Sequence, residues 1–436
     1  MKQSILLVLC LSMAAALFSS ATAKTMNVQE DQIKDPELPA CCTRSKTVTT
    51  AVKCEFDGFC QEYHPVAAAE AVSRISSITD LTFQINIAFK KQVPVTDADL
   101  QKIADSLNST SIKSLTLIMG SLKKVTGTGL ATLAGLNAIA QQTLESLNID
   151  FELTRMTDDS AKTIGSNLEK FTKLNALSIN VKNIFHQPFT SNGVAAMFSS
   201  ISTLKGLTDL SFYTAGLNKA KAVDTADLNA IAKDLDVLRP QLTKFTYEFS
   251  GSNITYANAK EMLTSIAGLD KVSTMTLVLN GNKLNDNVMI DISTLLTSSK
   301  SLKVLNTNLA NNELTSKGLD FAVSHLNPAN YQGKWILNLE NQGDDVKNID
   351  PSQYASALAC LKNKNILAGD ILVKETNFDM PDFTKVTDYS VSVDTKLCPN
   401  GGLKLQTHIT GGPENTYTHV CVACSKKFQK ISNLRH

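Results

Sequence analysis

Three groups of residues in this chain have types and spacings that could do chemistry. The first is the C-terminal HVCVACSKKFQKISNLRH, where Cys421 stands two residues before Cys424 and Phe428, Leu434 and His436 follow in zinc-finger order. A structural zinc site needs four closed ligands. The finger's first histidine falls one residue early and its second is absent, so Cys398, His408 or His419 would have to complete the set. The second group is the histidines, His64, His186, His325, His408, His419 and His436, which are scattered and accompanied by no G-x-S-x-G, phosphate loop or H-E-x-x-H. The chain therefore reads as no enzyme and as needing no cofactor or metal. The third group is seven lysines: Lys90, Lys91, Lys123, Lys124, Lys182, Lys219 and Lys221. Phe185, His186 and Phe189 lie among them, and Asp224 is the only acidic residue close by.

The ends of the chain say where such chemistry would operate. Residues 1–23 read as a secretory signal, with Lys2, the apolar ILLVLCLSMAAALF and the small-residue site Ala21-Thr22-Ala23. No later run is apolar and long enough for a bilayer span, and the polar C-terminus excludes a lipid-anchor tail. The expectation is a secreted protein, extracellular or at the cell surface, with no membrane span. Lysine plus arginine number 42 and aspartate plus glutamate 41, a balance that argues against nucleic acid as a partner. Outside the signal the cysteines form two groups: Cys41, Cys42, Cys54 and Cys60, then Cys360, Cys398, Cys421 and Cys424. In an oxidising compartment both groups read as disulfides, and spacing leaves the pairing open. Asn108 and Asn253 begin glycosylation sequons.

Between the cysteine groups one element recurs, an apolar-x-x-apolar-x-apolar pattern in ITDLTF, IKSLTL, LESLNI, LNALSI, LTDLSF, LTKFTY, VSTMTL and LKVLNT. Its second apolar positions are Leu81, Leu115, Leu147, Leu177, Leu210, Phe245, Met275 and Leu305, with weaker copies at Leu337 and Ile371, 30 to 35 residues apart. Each copy predicts a strand, because apolar and polar residues alternate. A stretch at helical spacing follows, as in Leu100, Ile103, Ala104 and Leu107. Thr96, Thr157, Thr225, Thr255 and Thr315 stand where helix N-caps are expected. One such unit cannot bury enough surface to fold alone, so the units must stack, and the stack must be closed at both ends.

This array resembles the leucine-rich repeats of the ribonuclease-inhibitor-like class. The resemblance implies an α/β horseshoe solenoid of about ten repeats, a parallel sheet on the concave face, helices on the convex face and a protein-binding role. The family's asparagine after the strand is clear at Asn282 and Asn312. The domain reading is a signal peptide at 1–23, an N-terminal Cys-containing cap at 24–74, the solenoid at 75–378 and a C-terminal Cys-containing cap at 379–436.

Stacking then positions the chemistry. Outward strand residues, among them Thr82, Asn148, Asn180, Ser211 and Tyr213, line the concave face. They are mostly small and uncharged, and are read either as merely solvated or as contacting a glycan or a second copy of the chain. Equivalent strand-to-helix loops meet on one rim, where the seven lysines would form a basic edge for an acidic extracellular protein, with Phe185 and Phe189 as apolar anchors. The ninth loop carries Glu340, Asp344, Asp345 and Asp350 around Lys347, the opposite sign. The functional expectation is a binding scaffold acting through its rim loops and concave face. The alternative is a structural subunit of an extracellular coat or filament, self-associating head to tail.

Overall fold

The computed structural model describes residues 32–33, 38–56, 64–85, 95–120, 122, 125–134, 136, 142–182, 189–217, 223–315, 317–318, 322, 334–339, 342, 388–397, 403–410 and 418–422. Twelve strands form one sheet in chain order. β1 (Gln32–Ile33) pairs antiparallel with β2 (Cys42–Ser45), which pairs antiparallel with β3 (Ala51–Phe56). Every later pairing is parallel: β4 (Asp80–Ile85), β5 (Ser114–Ile118), β6 (Ser146–Asp150), β7 (Ala176–Asn180), β8 (Asp209–Ala215), β9 (Lys244–Ser250), β10 (Thr274–Val278), β11 (Val304–Asn308) and β12 (Lys334–Asn338). Parallel neighbours need a crossover. The described helices supply it: α1 (Pro65–Ser73), α2 (Asp97–Leu107), α3 (Gly127–Ala134), α4 (Asp158–Leu168), α5 (Ser191–Ile201), α6 (Thr225–Leu238), α7 (Tyr256–Ala267) and α8 (Val288–Ser298).

Alternate strand residues point to opposite faces, and here one face is core and the other open. In β4 Leu81, Phe83 and Ile85 are buried while Asp80, Thr82 and Gln84 are half-buried, and β5, β6 and β7 repeat the alternation. The inward residues join the apolar stripes of the helices, such as Leu100, Ile103, Ala104 and Leu107, in a single core. The array is thus an α/β strand–helix solenoid of leucine-rich-repeat-like kind. A separate antiparallel sheet, β13 (Asp388–Leu397), β14 (Leu403–Thr410) and β15 (Thr418–Val422), lies within the segment expected to be a C-terminal cap.

The register aligns Leu81, Leu115, Leu147, Leu177, Leu210, Phe245, Met275 and Leu305 across neighbouring strands, as the repeat predicts. Two corrections follow at the ends. The ninth copy is centred on Trp335 rather than Leu337, because Trp335 pairs with Leu305 and fills the same core position. The parallel array also begins earlier than residue 75: Val52 pairs with Leu81, and Cys54 occupies the core position held in β4 by Phe83. Ile371 lies outside the described residues.

Helix starts largely follow the expected threonines. Thr96, Thr157 and Thr255 cap α2, α4 and α7; the last two form reciprocal capping boxes with Ser160 and Asn258, whereas the backbone N and hydroxyl of Thr96 both donate to the Asp99 carboxylate. At α6 the cap is Asp224, whose carboxylate accepts from Ala226 N at 2.9 Å, and Thr225 is the first helical residue. Thr190, not anticipated, caps α5. Neighbouring repeats are also locked together at these ends. Asp97 accepts from the backbone N (2.8 Å) and Oγ1 (2.5 Å) of Thr126 in the next repeat, and Asp158 does the same for Thr190 at 2.8 and 2.7 Å. Asp286 holds Thr315 likewise. Glycine completes each lock, since a Cβ at Gly129, Gly193 or Gly318 would collide with the same carboxylates.

The turn leaving each strand must satisfy buried backbone groups. Asn282 donates to Phe249 O and Leu279 O and accepts from Ser252 N and Ile254 N. Asn312 donates to Leu279 O, Leu309 O and Ala310 O and accepts from Leu284 N. Gln342 extends the ladder to Leu309 O and Leu339 O and accepts from Leu314 N. Earlier repeats use hydroxyls at the same position: Thr154 donates to Phe151 O and Ser252 to Ser250 O. One residue before this position the backbone enters the left-handed region, at Leu153, Gly216, Gly251, Gly281 and Asn311. Replacing Asn312 by Ala would leave several of these groups unpaired, an expected loss of about 2–4 kcal/mol. Denaturant titration checks this, and hydrogen exchange should show the loss centred on β10–β12.

Candidate functional site

The most structured polar surface lies on the open face of the sheet, over β6 to β9. Lys182, two residues beyond the end of β7, extends across β8 to β9 and pairs with Glu248 at 2.8 Å. Its ammonium sits 5.5 Å from the Tyr213 ring centroid. Both charged side chains are largely covered, 15% and 12% exposed, and Ser250 Oγ donates to the second Glu248 oxygen at 3.0 Å. Burial, with the Glu248 charge beside it, raises the Tyr213 phenol above its ordinary value.

On the β6 side stand two more carboxylates. Asp150 accepts from Glu152 N at 2.9 Å, and Asn180 Nδ2 donates to Glu152 at 3.2 Å while its carbonyl oxygen accepts from Lys182 N. Burial, together with the neighbouring Glu152 charge, raises the Asp150 carboxyl above the usual aspartate range. On the row nearer the strand starts, Lys244 pairs with Asp209 at 3.1 Å. Strands β6 to β9 and the turns that leave them therefore carry Asp150, Glu152, Asp209 and Glu248 near Lys182 and Lys244.

This placement changes the expected basic rim. Lys182 is engaged internally and contributes no free positive charge. Phe189 is 2% exposed and packs over Gly193 at the start of α5, so it is a core residue and not an anchor for a partner. The sign was present in the sequence, because an apolar residue precedes the cap in repeat after repeat. Val95, Val125, Met156, Val223, Ile254 and Leu314 hold the same position and are all buried. Lys90, Lys91, Lys123, Lys124, Phe185, His186, Lys219 and Lys221 lie outside the described residues, as do Glu340, Asp344, Asp345, Lys347 and Asp350. Asn180, Ser211 and Tyr213 fall on the open face as expected. Glu248 and the Asp150–Glu152 pair were not anticipated.

At the N-terminal end Cys42 and Cys54, register partners in β2 and β3, form a disulfide, and Cys41 is also disulfide-bonded. Cys421 lies on β15; Cys60, Cys360, Cys398 and Cys424 lie outside the described residues. His64 caps α1, its Nδ1 accepting from Val66 N. Asn108 ends α2 and Asn253 sits in a left-handed turn, both half-exposed. Among the described residues no helix is long and apolar enough to cross a membrane.

The fold and this face define a strand–helix solenoid with one covered and one open sheet surface, the architecture of leucine-rich-repeat-like proteins. No protein-family model matches the chain, and no curated protein matches it in sequence.

Two measurements test the site's energetics. Lys182→Met leaves the Glu248 carboxylate covered and unpaired, with an expected loss of about 1–3 kcal/mol, and adding Glu248→Gln should recover part of it in a double-mutant cycle. Asp150 has a folded-state pKa raised above its ordinary 3.8, so its protonated form favours the fold. That contribution is complete below the ordinary value and lost as pH rises through the raised one. Asp150→Asn should therefore raise the melting midpoint at neutral pH, and the gain should fade in acid.

Proposed function

We propose that the chain is a secreted, non-enzymatic repeat protein of the ribonuclease-inhibitor-like leucine-rich-repeat class, a scaffold that binds an extracellular protein or glycan. The observation that carries this reading is the open sheet face. Parallel strands from β3 to β12 stand in register and present rows of half-covered polar side chains, with an aromatic and charged cluster at β6 to β9. A surface of that extent suits recognition. The signal-like residues 1–23 and the disulfide chemistry of Cys41, Cys42 and Cys54 support an oxidising, extracellular setting. Asn108 and Asn253 are the proposed glycan sites.

Expression through a secretory host tests the reading. The released protein should begin at Lys24, lose mass with a glycosidase and retain one monomeric mass across a wide concentration range by light scattering. Mass that grows with concentration into regular particles would replace it with the coat or filament subunit, and retention inside the cell would reject secretion.

A further inference from the structure

Each helix returns to the next strand through a short loop, and these return loops stack on the rim opposite the strand-to-helix turns. Backbone bonds hold them side by side: Thr208 N donates to Asn175 O at 2.9 Å, and Thr243 N to Thr208 O, Ser273 N to Thr243 O and Lys303 N to Ser273 O at 2.8 Å. Lysines recur on these loops at nearly one height. Lys173 and Lys271 stand four residues before the strand centres Leu177 and Met275, and Lys205 and Lys300 stand five before Leu210 and Leu305. With Lys303 they form an exposed line on the loops entering β7, β8, β10 and β11. On the loop entering β9, Arg239 and Lys244 continue the basic character, paired with Asp236 and Asp209.

Neither the fold nor a neighbouring charge accounts for this line. A helix favours a cation within its last turn. Yet α4, α5, α7 and α8 have no basic residue there, and the five lysines lie two to five residues past their ends. Four residues before their own strand centres the loops entering β4 and β5 carry Ser77 and Ser111, so a small polar residue satisfies the loop. Among the described residues no carboxylate lies within ion-pair distance of the five lysines. Of the acidic residues nearby, Asp209 and Asp236 are paired already, and Glu169 accepts from Ser200 Oγ at 2.7 Å. Asp270 alone stands exposed against the line.

We infer that this rim binds a linear acidic polysaccharide, whose sulfate or carboxylate groups seat along Lys173, Lys205, Lys271, Lys300 and Lys303. The inference rests on the recognition role proposed above and narrows its partner. With strands about 4.8 Å apart, the line runs roughly 20 Å from β7 to β11, so a chain with regularly spaced anions meets one cation after another. Thr172, Asn175, Thr203 and Ser301, exposed between the lysines, can bond to sugar hydroxyls. A protein partner or a single-stranded nucleic acid would call for aromatic anchors or stacking platforms. The one aromatic residue on these loops, Phe171, is fully buried.

The experiment uses the secreted full chain and fluorescently labelled heparin, beside uncharged dextran, polyglutamate, duplex DNA and phosphatidylserine vesicles, at low and physiological salt. Heparin should bind most tightly, and more weakly as salt rises, and dextran should not bind. Lys173→Ser, Lys205→Ser, Lys300→Ser and Lys303→Ser combined should weaken heparin binding by about tenfold or more. The melting midpoint should stay unchanged, because these side chains are exposed and unpaired among the described residues. Lys102→Gln, Lys162→Gln, Lys233→Gln and Lys260→Gln combined, which remove as much charge from the helices, should leave binding unchanged. Equal binding of dextran, polyglutamate, DNA or vesicles as tight as that of heparin, equal loss in the helix variant, or an unmoved rim variant would each overturn the inference. Light scattering on the same samples separates the two readings: a monomer that ignores heparin sinks this inference alone, whereas concentration-dependent assembly without heparin sinks the scaffold reading beneath it.

Discussion

Everything in this array depends on how a strand is allowed to end. A parallel strand has no hairpin route to its neighbour, so each one runs into a turn whose amides and carbonyls are buried beneath the next repeat. In the later repeats one side chain, Asn282, Asn312 or Gln342, reaches backbone groups of its own repeat and of the repeat before it. These turns hold the repeats at one height. A slip of one residue would carry every core side chain to the open face, so the turn bonds also keep Lys182, Tyr213 and Glu248 opposite one another.

The same logic explains what could be read from the sequence. Strand centres from Leu81 to Leu305 were legible because their period follows from local alternation. It failed where the core position is filled by an unusual type, Cys54 in β3 and Trp335 in β12. The turn ladder was half legible, since asparagine is a recognisable signal whereas Thr154, Ser252 and Gln342 fill the same space with different chemistry. Lys182 was the hardest case. Its partner stands two strands away, and nothing in the residues around it shows that its charge is neutralised. For Phe189 the information was local, in the apolar residue that precedes each helix cap.

The N-terminal end shows how the stack begins. A parallel sheet leaves an edge open to pairing with another chain. Here the chain reverses direction at β2 and β3, and the Cys42–Cys54 bond closes that reversal one strand before the first complete repeat. The disulfide thus sits where backbone pairing changes from antiparallel to parallel. It fastens the short β2 strand to the array without relying on a large apolar surface of its own.

The aspartate locks between helix starts have a further consequence. Along α2 to α5, a repeat that offers an aspartate is followed by one that accepts it with threonine and glycine: Asp97 meets Thr126 and Gly129, then Asp158 meets Thr190 and Gly193. Deleting the single repeat that contains α3 would bring Asp97 against α4, where Ser160 occupies the glycine position and is already engaged in capping. Deleting the α3 and α4 repeats together would set Asp97 against Thr190 and Gly193, and the lock would close again. This stretch of the solenoid consequently has a parity, and its length can change without a misfit only two repeats at a time.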